Sequence, residues 1–236
     1  MAGEGTSAIQ VILLGKGLNS GSWAPVCSLL EKKGIGFTIS GNHNELRKGP
    51  DLGIILGYDR IIPSEVLARP RLGFILFHSS DLPRGRGWAP IYNTVTANLP
   101  LTQTLLFASE EVDAGPVIAK ATYPLEGNEM EAEVRKFDDG LTLALLDDVL
   151  DPLLKGKVQG IEQDHSQATW WRRRVPEDSE VRLEASISES FDHIRGLPRS
   201  APVVFSHRGR RFKVMIEPMD PGKTFDPENV RIQRFF

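Results

Sequence analysis

Residues 72–90 read LGFILFHSSDLPRGRGWAP, and this stretch decides the predicted fold. Its first six residues form a largely apolar run, typical of a strand buried on both faces of a parallel sheet. We predict a strand over residues 72–77, with His78 directly after it. Ligands of open α/β sheets bind beyond the carboxyl ends of the strands. His78 is therefore either a structural residue at a strand end or a catalytic acid/base.

Comparable short apolar runs lie on both sides of this stretch. The predicted strands cover residues 8–15, 35–40, 52–57, 72–77, 101–109 and 116–123, and the predicted helices cover 22–33, 64–68, 90–98, 129–154 and 187–194. This alternation predicts an α/β fold with a mostly parallel, Rossmann-like sheet flanked by helices. Residues 1–164 are predicted to form the main domain. Residues 165–236 are predicted to form a small C-terminal subdomain of one helix and a β-hairpin.

Composition narrows the function classes. The chain has 236 residues and a formal net charge of −3, so no overall basic field favours a nucleic acid partner. Cys27 is the single cysteine, which leaves no internal disulfide. No run of about 18 apolar residues predicts a membrane span. A cytoplasmic location is the expectation.

Two common cofactor sites are disfavoured by spacing. Gly15, Gly17 and Gly21 follow the first predicted strand but leave one position too many for GxGxxG, and no acidic residue follows the second strand. A nicotinamide dinucleotide site is therefore not expected. The five histidines show neither HxH nor HExxH spacing, and one cysteine supplies no CxxC, so no metal site is expected.

A second candidate segment is SEEVDAGPVI, residues 109–118, which contains Asp113 in a turn between two predicted strands. A turn aspartate often accepts hydrogen bonds from its own backbone. Alternatively, the carboxylate orients His78 or a catalytic water and favours the imidazolium. The segment alone does not separate these interpretations.

Together these segments resemble the N10-formyltetrahydrofolate-dependent formyltransferase family, which includes methionyl-tRNA formyltransferase, glycinamide ribonucleotide transformylase and the sugar N-formyltransferases. The family pattern N-x-H-P-S-L-L-P-x-x-R-G is followed about three dozen residues later by L-D-x-G. The matching residues are His78, Ser80, Leu82, Pro83, Arg86, Gly87, Asp113 and Gly115. Residues 57–67 resemble an upstream family segment, and Gln163 with ATWWRRRVPEDSEV resembles a downstream one. The resemblance spans about residues 50–200 and is closest in layout to the sugar N-formyltransferases.

The resemblance implies the formyltransferase fold, with residues 1–164 as the catalytic domain. It also implies direct transfer of a formyl group from N10-formyltetrahydrofolate to an amine, without a metal. The implied catalytic residues are His78, Asp113 and Ser80. The implied folate-binding residues lie in two loops and are Tyr58, Arg60, Ile61, Ile62, Glu110, Glu111 and Val112. The implied substrate-binding residues are Arg86, Gly87 and Trp88.

The chain departs from the family pattern at Leu76, where the family has an asparagine that hydrogen-bonds the developing oxyanion. Leucine has no donor. Ser80, Asn93 or a backbone N–H could replace the amide, His78 could carry the oxyanion itself, or the chain could keep the fold without efficient transfer. We favour a replacement donor, because His78, Arg86 and Asp113 are retained.

The acceptor expected from the resemblance is a small-molecule amine, most specifically a nucleotide-linked amino sugar. Methionyl-tRNA is disfavoured because residues 165–236 are too few for the family's complete C-terminal barrel and the net charge is acidic. The alternatives are an amino acid or hydroxylamine of secondary metabolism, hydrolysis of the formylated folate, and a folate-binding pseudoenzyme. The family also makes a homodimer through the C-terminal residues the expected assembly.

Overall fold

The structure, a computed structural model, describes residues 9–15, 23–46 and 49–236. Its strands are β1 (Gln10–Leu14), β2 (Gly36–Ser40), β3 (Leu52–Ile55), β4 (Phe74–His78), β5 (Arg86–Gly87), β6 (Leu101–Phe107), β7 (Val117–Tyr123), β8 (Trp170–Trp171), β9 (Val203–His207), β10 (Arg210–Val214) and β11 (Arg231–Arg234). Its α-helices are α1 (Trp23–Lys32), α2 (Ser64–Leu67), α3 (Pro90–Thr96), α4 (Glu131–Leu154) and α5 (Ile187–Arg195). Apart from Gly15, the glycine-containing turn considered for a dinucleotide lies outside the described residues.

A seven-stranded sheet in the order β11-β7-β6-β4-β3-β1-β2 organises the described chain. The pairs β1–β2, β1–β3 and β3–β4 are parallel, whereas β4–β6, β6–β7 and β7–β11 are antiparallel. Two successive reversals return β7 to the direction of β4, so five of the seven strands point the same way. The predicted α/β fold with a mostly parallel sheet flanked by helices is confirmed.

The two faces of the sheet are covered differently, and β4 shows the division. Ile75 and Phe77 point to the face covered by α1, α3 and α4, where most of the apolar core lies. We call this the helical face. Leu76 and His78 alternate with them and point to the opposite face, the His78 face, where a smaller apolar cluster includes Ile62 and Val66 near α2. The two faces therefore hold separate environments.

Helix α4 follows the predicted periodicity and begins at Glu131, two residues later than expected. Val134, Phe137 and Leu141 are completely or almost completely buried against the sheet. The glycine within this helix has a packing role: a Cβ on Gly140 would lie 2.6 Å from the ring of Phe225. Gly140 therefore lets the C-terminal segment lie close against the helix.

The C-terminal residues contain the expected helix, α5, and the expected hairpin, β9–β10. The chain then returns to the main sheet, where β11 pairs with β7 and Phe225 packs against the core. The division at residue 164 stays a prediction, as does the homodimer. Among the described helices, none is long and apolar enough to cross a membrane.

Candidate active site

His78 is the last residue of β4, so the strand extends one residue further than predicted. Its imidazole is largely buried, and Nε2 lies 2.8 Å from the carbonyl oxygen of Gly85. A carbonyl oxygen can only accept, so Nε2 must carry the hydrogen in this contact. The geometry therefore leaves Nδ1 as the nitrogen that exchanges a proton.

Asp113 faces that nitrogen. Its Oδ2 lies 3.5 Å from His78 Nδ1, and the two side chains are only 9% and 11% exposed. The same oxygen accepts the backbone N–H of Gly87 at 2.9 Å, which fixes the carboxylate in place. The structure therefore brings the two predicted catalytic side chains together, and their catalytic roles stay predictions.

The loop between β6 and β7 must fold back to make this contact. His78 pairs with Thr104, three residues before β6 ends at Phe107, so the loop returns by about 10 Å along the strand. The close approach is made at Gly115, where a Cβ would lie 2.0 Å from the Phe107 carbonyl oxygen. Gln163 Nε2 then donates to the carbonyl oxygens of Asp113 and Gly115, at 2.9 and 2.8 Å.

Gly115→Ala should therefore lower the free energy of unfolding by about 1–3 kcal/mol, because the new methyl group must push the Asp113 loop off β6. Urea denaturation monitored by circular dichroism measures this. Gly41→Ala is the matched control: its Cβ would have its nearest contact at 3.7 Å, and we expect a change within about 0.5 kcal/mol. Equal stability of the two variants would contradict the proposed close approach.

The buried Arg86 side chain connects the loops of the site. Its side chain is 1% exposed, and Nη2 donates to Gln163 Oε1 at 2.7 Å while Nη1 donates to Glu111 Oε1 at 3.2 Å. The guanidinium is thus engaged by the protein itself, and its predicted role in substrate binding stays a prediction. Trp88, beyond Gly87, is 46% exposed, with the guanidinium of Arg173 4.9 Å from its ring centre.

Neither side chain named as a replacement for the family asparagine has an uncommitted donor group directed at His78. The Ser80 hydroxyl donates to the Arg84 carbonyl oxygen at 2.9 Å. The Asn93 amide donates to the carbonyl oxygens of Ala89 and Trp88, at 2.9 and 3.1 Å. Leu76 itself packs in the apolar cluster of the His78 face. A backbone N–H and His78 itself stay the predicted candidates for the oxyanion donor.

The predicted folate loops follow β3 and connect β6 to β7. Tyr58 places its hydroxyl 2.6 Å from His43 Nδ1, and Ile62 is buried in the apolar cluster. Ile61 and Val112 are 72% and 48% exposed. The remaining predicted residues, Arg60, Glu110 and Glu111, are also exposed. Their role in binding folate stays a prediction.

Comparison with known proteins agrees with this geometry. Residues 40–138 match the formyl transferase family model. The methionyl-tRNA formyltransferase of Sorangium cellulosum is 32% identical over 169 residues, which cover 71% of this chain and 54% of that protein. This chain belongs to the formyltransferase family. It spans about half the length of the curated relatives it matches.

Two solved structures share the formyltransferase fold. A 4-N formyltransferase from Francisella tularensis superposes with a TM-score of 0.77 at 18% identity, over 90% of this chain and 99% of that one. The formyltransferase PseJ from Anoxybacillus kamchatkensis, solved with UDP-4,6-dideoxy-4-formamido-L-AltNAc and tetrahydrofolate, superposes with a TM-score of 0.59 at 21% identity, over 69% and 85%.

Sequence reasoning missed one buried polar pair. The Ser79 hydroxyl donates to Asp138 Oδ2 at 2.9 Å, on the helical face of the sheet. Burial raises the pKa of Asp138 to about 7, against the lowering effect of the Ser79 hydrogen bond. A signal was present in the sequence, because Asp138 lies four residues after Val134 and three before Leu141, on the apolar stripe of α4.

Proposed function

We propose that the protein is an N-formyltransferase that moves a formyl group from N10-formyltetrahydrofolate to the amine of a small acceptor. The observation that carries this proposal is the His78–Asp113 pair, with Nε2 held by Gly85 and Nδ1 facing the carboxylate. Such a pair holds one proton at a defined atom, as transfer to a departing amine nitrogen requires.

In the proposed reaction, the lone pair of the acceptor amine forms a bond to the formyl carbon, and the carbonyl oxygen becomes an oxyanion. When this tetrahedral intermediate collapses, the bond from carbon to N10 breaks. His78 gives its Nδ1 proton to N10, and the Nδ1 atom left without a proton then takes the proton that the acceptor nitrogen loses. Asp113 stabilises the imidazolium before the transfer and so acts through His78.

Folate binding is supported by the apolar surface of the two loops. Ile61 and Val112 expose apolar side chains, which suit the flat face of a pterin. In the solved PseJ structure the bound ligand is tetrahydrofolate itself. When bound, the donor supplies an activated formyl group, and the loop residues of this chain supply its pocket.

The acceptor we favour is a nucleotide-linked amino sugar, because the formal net charge of the chain is −3 and PseJ was solved with a formamido sugar nucleotide. Methionyl-tRNA is the second candidate, favoured by the curated relatives, which are named for it. The two acceptors differ in size and charge, so one assay separates them.

The test is release of tetrahydrofolate from N10-formyltetrahydrofolate, followed by absorbance with each of several acceptors. We expect release that depends on a nucleotide-linked amino sugar. Release with charged initiator tRNA, an amino acid or hydroxylamine would reassign the acceptor. Release with water alone would indicate a hydrolase. Binding of folate without release under every condition would indicate a pseudoenzyme, and absence of folate binding would reject both enzyme and pseudoenzyme.

Restoring the family amide by Leu76→Asn should change the transfer rate by less than about tenfold, if a backbone N–H already serves the oxyanion. It should also lower the free energy of unfolding by about 1–3 kcal/mol, because Leu76 packs among apolar side chains. Single-turnover kinetics and urea denaturation measure the two effects. Leu76→Ala, which removes packing without adding a donor, is the control. A gain on the order of a hundredfold for the asparagine variant alone would show that no donor replaces it.

A further inference from the structure

A cavity of about 470 Å³ lies on the helical face, across β4 from His78. Its walls come from β3, β4, β6, α1 and α4, and they include Trp23, Phe77, Ser79, Gln103, Asp138 and Thr142. The aromatic side chains give it an apolar part, and the other four give it a polar part. No step of the reaction described above uses it.

Two oxygen atoms at this cavity lack a donor within the described part of the chain. Gln103 is 2% exposed, and its Nε2 donates to the Thr142 hydroxyl at 2.8 Å, but its Oε1 has no partner. Asp138 accepts from Ser79 through Oδ2, whereas its shielded Oδ1 has none. Leaving such acceptors unpaired costs about 1–3 kcal/mol each. Both oxygens have almost no accessible surface, so a ligand that donates hydrogen bonds recovers that cost only after neighbouring side chains move.

The cavity reaches the catalytic end of the sheet. Ser79, which directly follows His78 at the end of β4, lines the cavity. Gly57 also lines the cavity, and no described heavy atom lies within 4 Å of the position its Cβ would take. Among the described residues, a molecule seated in the cavity therefore has open space beside Gly57.

The charged residues that line the cavity indicate the charge of the ligand that it binds. Asp138 and Asp139 are the charged residues among its described walls, which include no lysine or arginine. This environment attracts an ammonium group and repels a phosphate. Resting on the proposed function, we propose that the cavity binds the amine-bearing ring of the acceptor through Asp138 and Gln103, with any phosphate of the acceptor outside it. The ammonium group gives a proton to the Asp138 carboxylate before the lone pair of its nitrogen can attack the formyl carbon.

Binding should strengthen as the pH rises. Burial raises the pKa of Asp138 to about 7, so the carboxylate that pairs with an ammonium group is lost below that pH. On α4, Asp139 raises the pKa of Asp138 and Arg135 lowers it. On the sheet side, Ser79 and Gln103 both lower it. The Ser79 hydroxyl lowers the pKa of Asp138, so Ser79→Ala should move the binding transition to higher pH.

The test uses the whole chain without folate and isothermal titration calorimetry with trans-4-aminocyclohexanol, a ring with one ammonium and one hydroxyl group. Its alkyl amine stays protonated near neutral pH. We expect it to bind more tightly than cyclohexane-1,4-diol and than its own phosphate ester. Asp138→Asn should weaken its binding by about ten- to hundredfold.

The matched control is Asp147→Asn, on the same helix, where an exposed aspartate pairs with Lys33. It removes the same charge outside the cavity and should leave the affinity unchanged. The proposal is overturned by failure of the probe to bind, by tighter binding of the phosphate ester, or by unchanged affinity and pH dependence in Asp138→Asn and Ser79→Ala. The calorimetry contains no folate, so it is independent of the tetrahydrofolate release assay. If the probe binds but no formyl transfer is found, only the proposed function is rejected. If formyl transfer is found but the probe does not bind, only the proposed role of the cavity is rejected.

Discussion

We expect His78→Gln to lower the rate of the proposed formyl transfer by about 10²- to 10⁴-fold, which is the usual contribution of a positioned general acid. The glutamine amide can still donate to the Gly85 carbonyl oxygen, so the loop that follows β4 keeps its contact. It cannot exchange a proton near neutral pH, so N10 must leave without an acid. Single-turnover release of tetrahydrofolate at saturating acceptor measures this loss.

The control is His207→Gln, an exposed histidine at the end of β9. It removes an imidazole far along the chain from β4 and should keep the native rate. If His78→Gln turned over as fast as the native protein, the proton would come from another group and the assigned role would be wrong. Equal losses in both variants would point to instability rather than chemistry.

Asp113→Asn should lower the same rate on the order of 10²-fold. The amide oxygen can still accept the Gly87 N–H, so the loop is retained, but the charge 3.5 Å from His78 Nδ1 is gone. Loss of that attraction, about 2.7 kcal/mol for a hundredfold effect, leaves the imidazolium without its counter-charge.

Because Asp113 acts through His78, the loss should appear in kcat while the Kd for tetrahydrofolate changes little. Asp113→Glu restores the charge and should recover part of the rate. Asp220→Asn, which changes an exposed aspartate of the C-terminal segment, provides the charge-matched control. A weaker folate affinity with normal kcat would instead make Asp113 a binding residue.

Several elements could be predicted because local patterns specify them. The apolar stripe of α4 and the run that ends at His78 depend on residues a few positions apart, and the structure has both within two residues of the prediction. The α/β class follows from the alternation of such elements. The resemblance then indicated His78 and Asp113 as partners, and the structure brings them together.

Other features depend on long-range contacts that no local pattern contains. The commitment of Ser80 and Asn93 to backbone carbonyls, and the engagement of buried Arg86 by Gln163 and Glu111, became visible only in three dimensions. The return of β11 to the main sheet is likewise a pairing over more than a hundred residues.

The sequence by itself determined the fold class, which follows from periodicity, and the family, which follows from motifs in a fixed order. The catalytic roles of His78 and Asp113 come from the resemblance and stay predictions. Only the tertiary structure decided which imidazole nitrogen faces Asp113, and that Ser79 and Asp138 meet at a cavity on the opposite face. The physical reason is that a hydrogen bond depends on distances of about 3 Å, and such distances between remote residues are set by packing of the whole sheet.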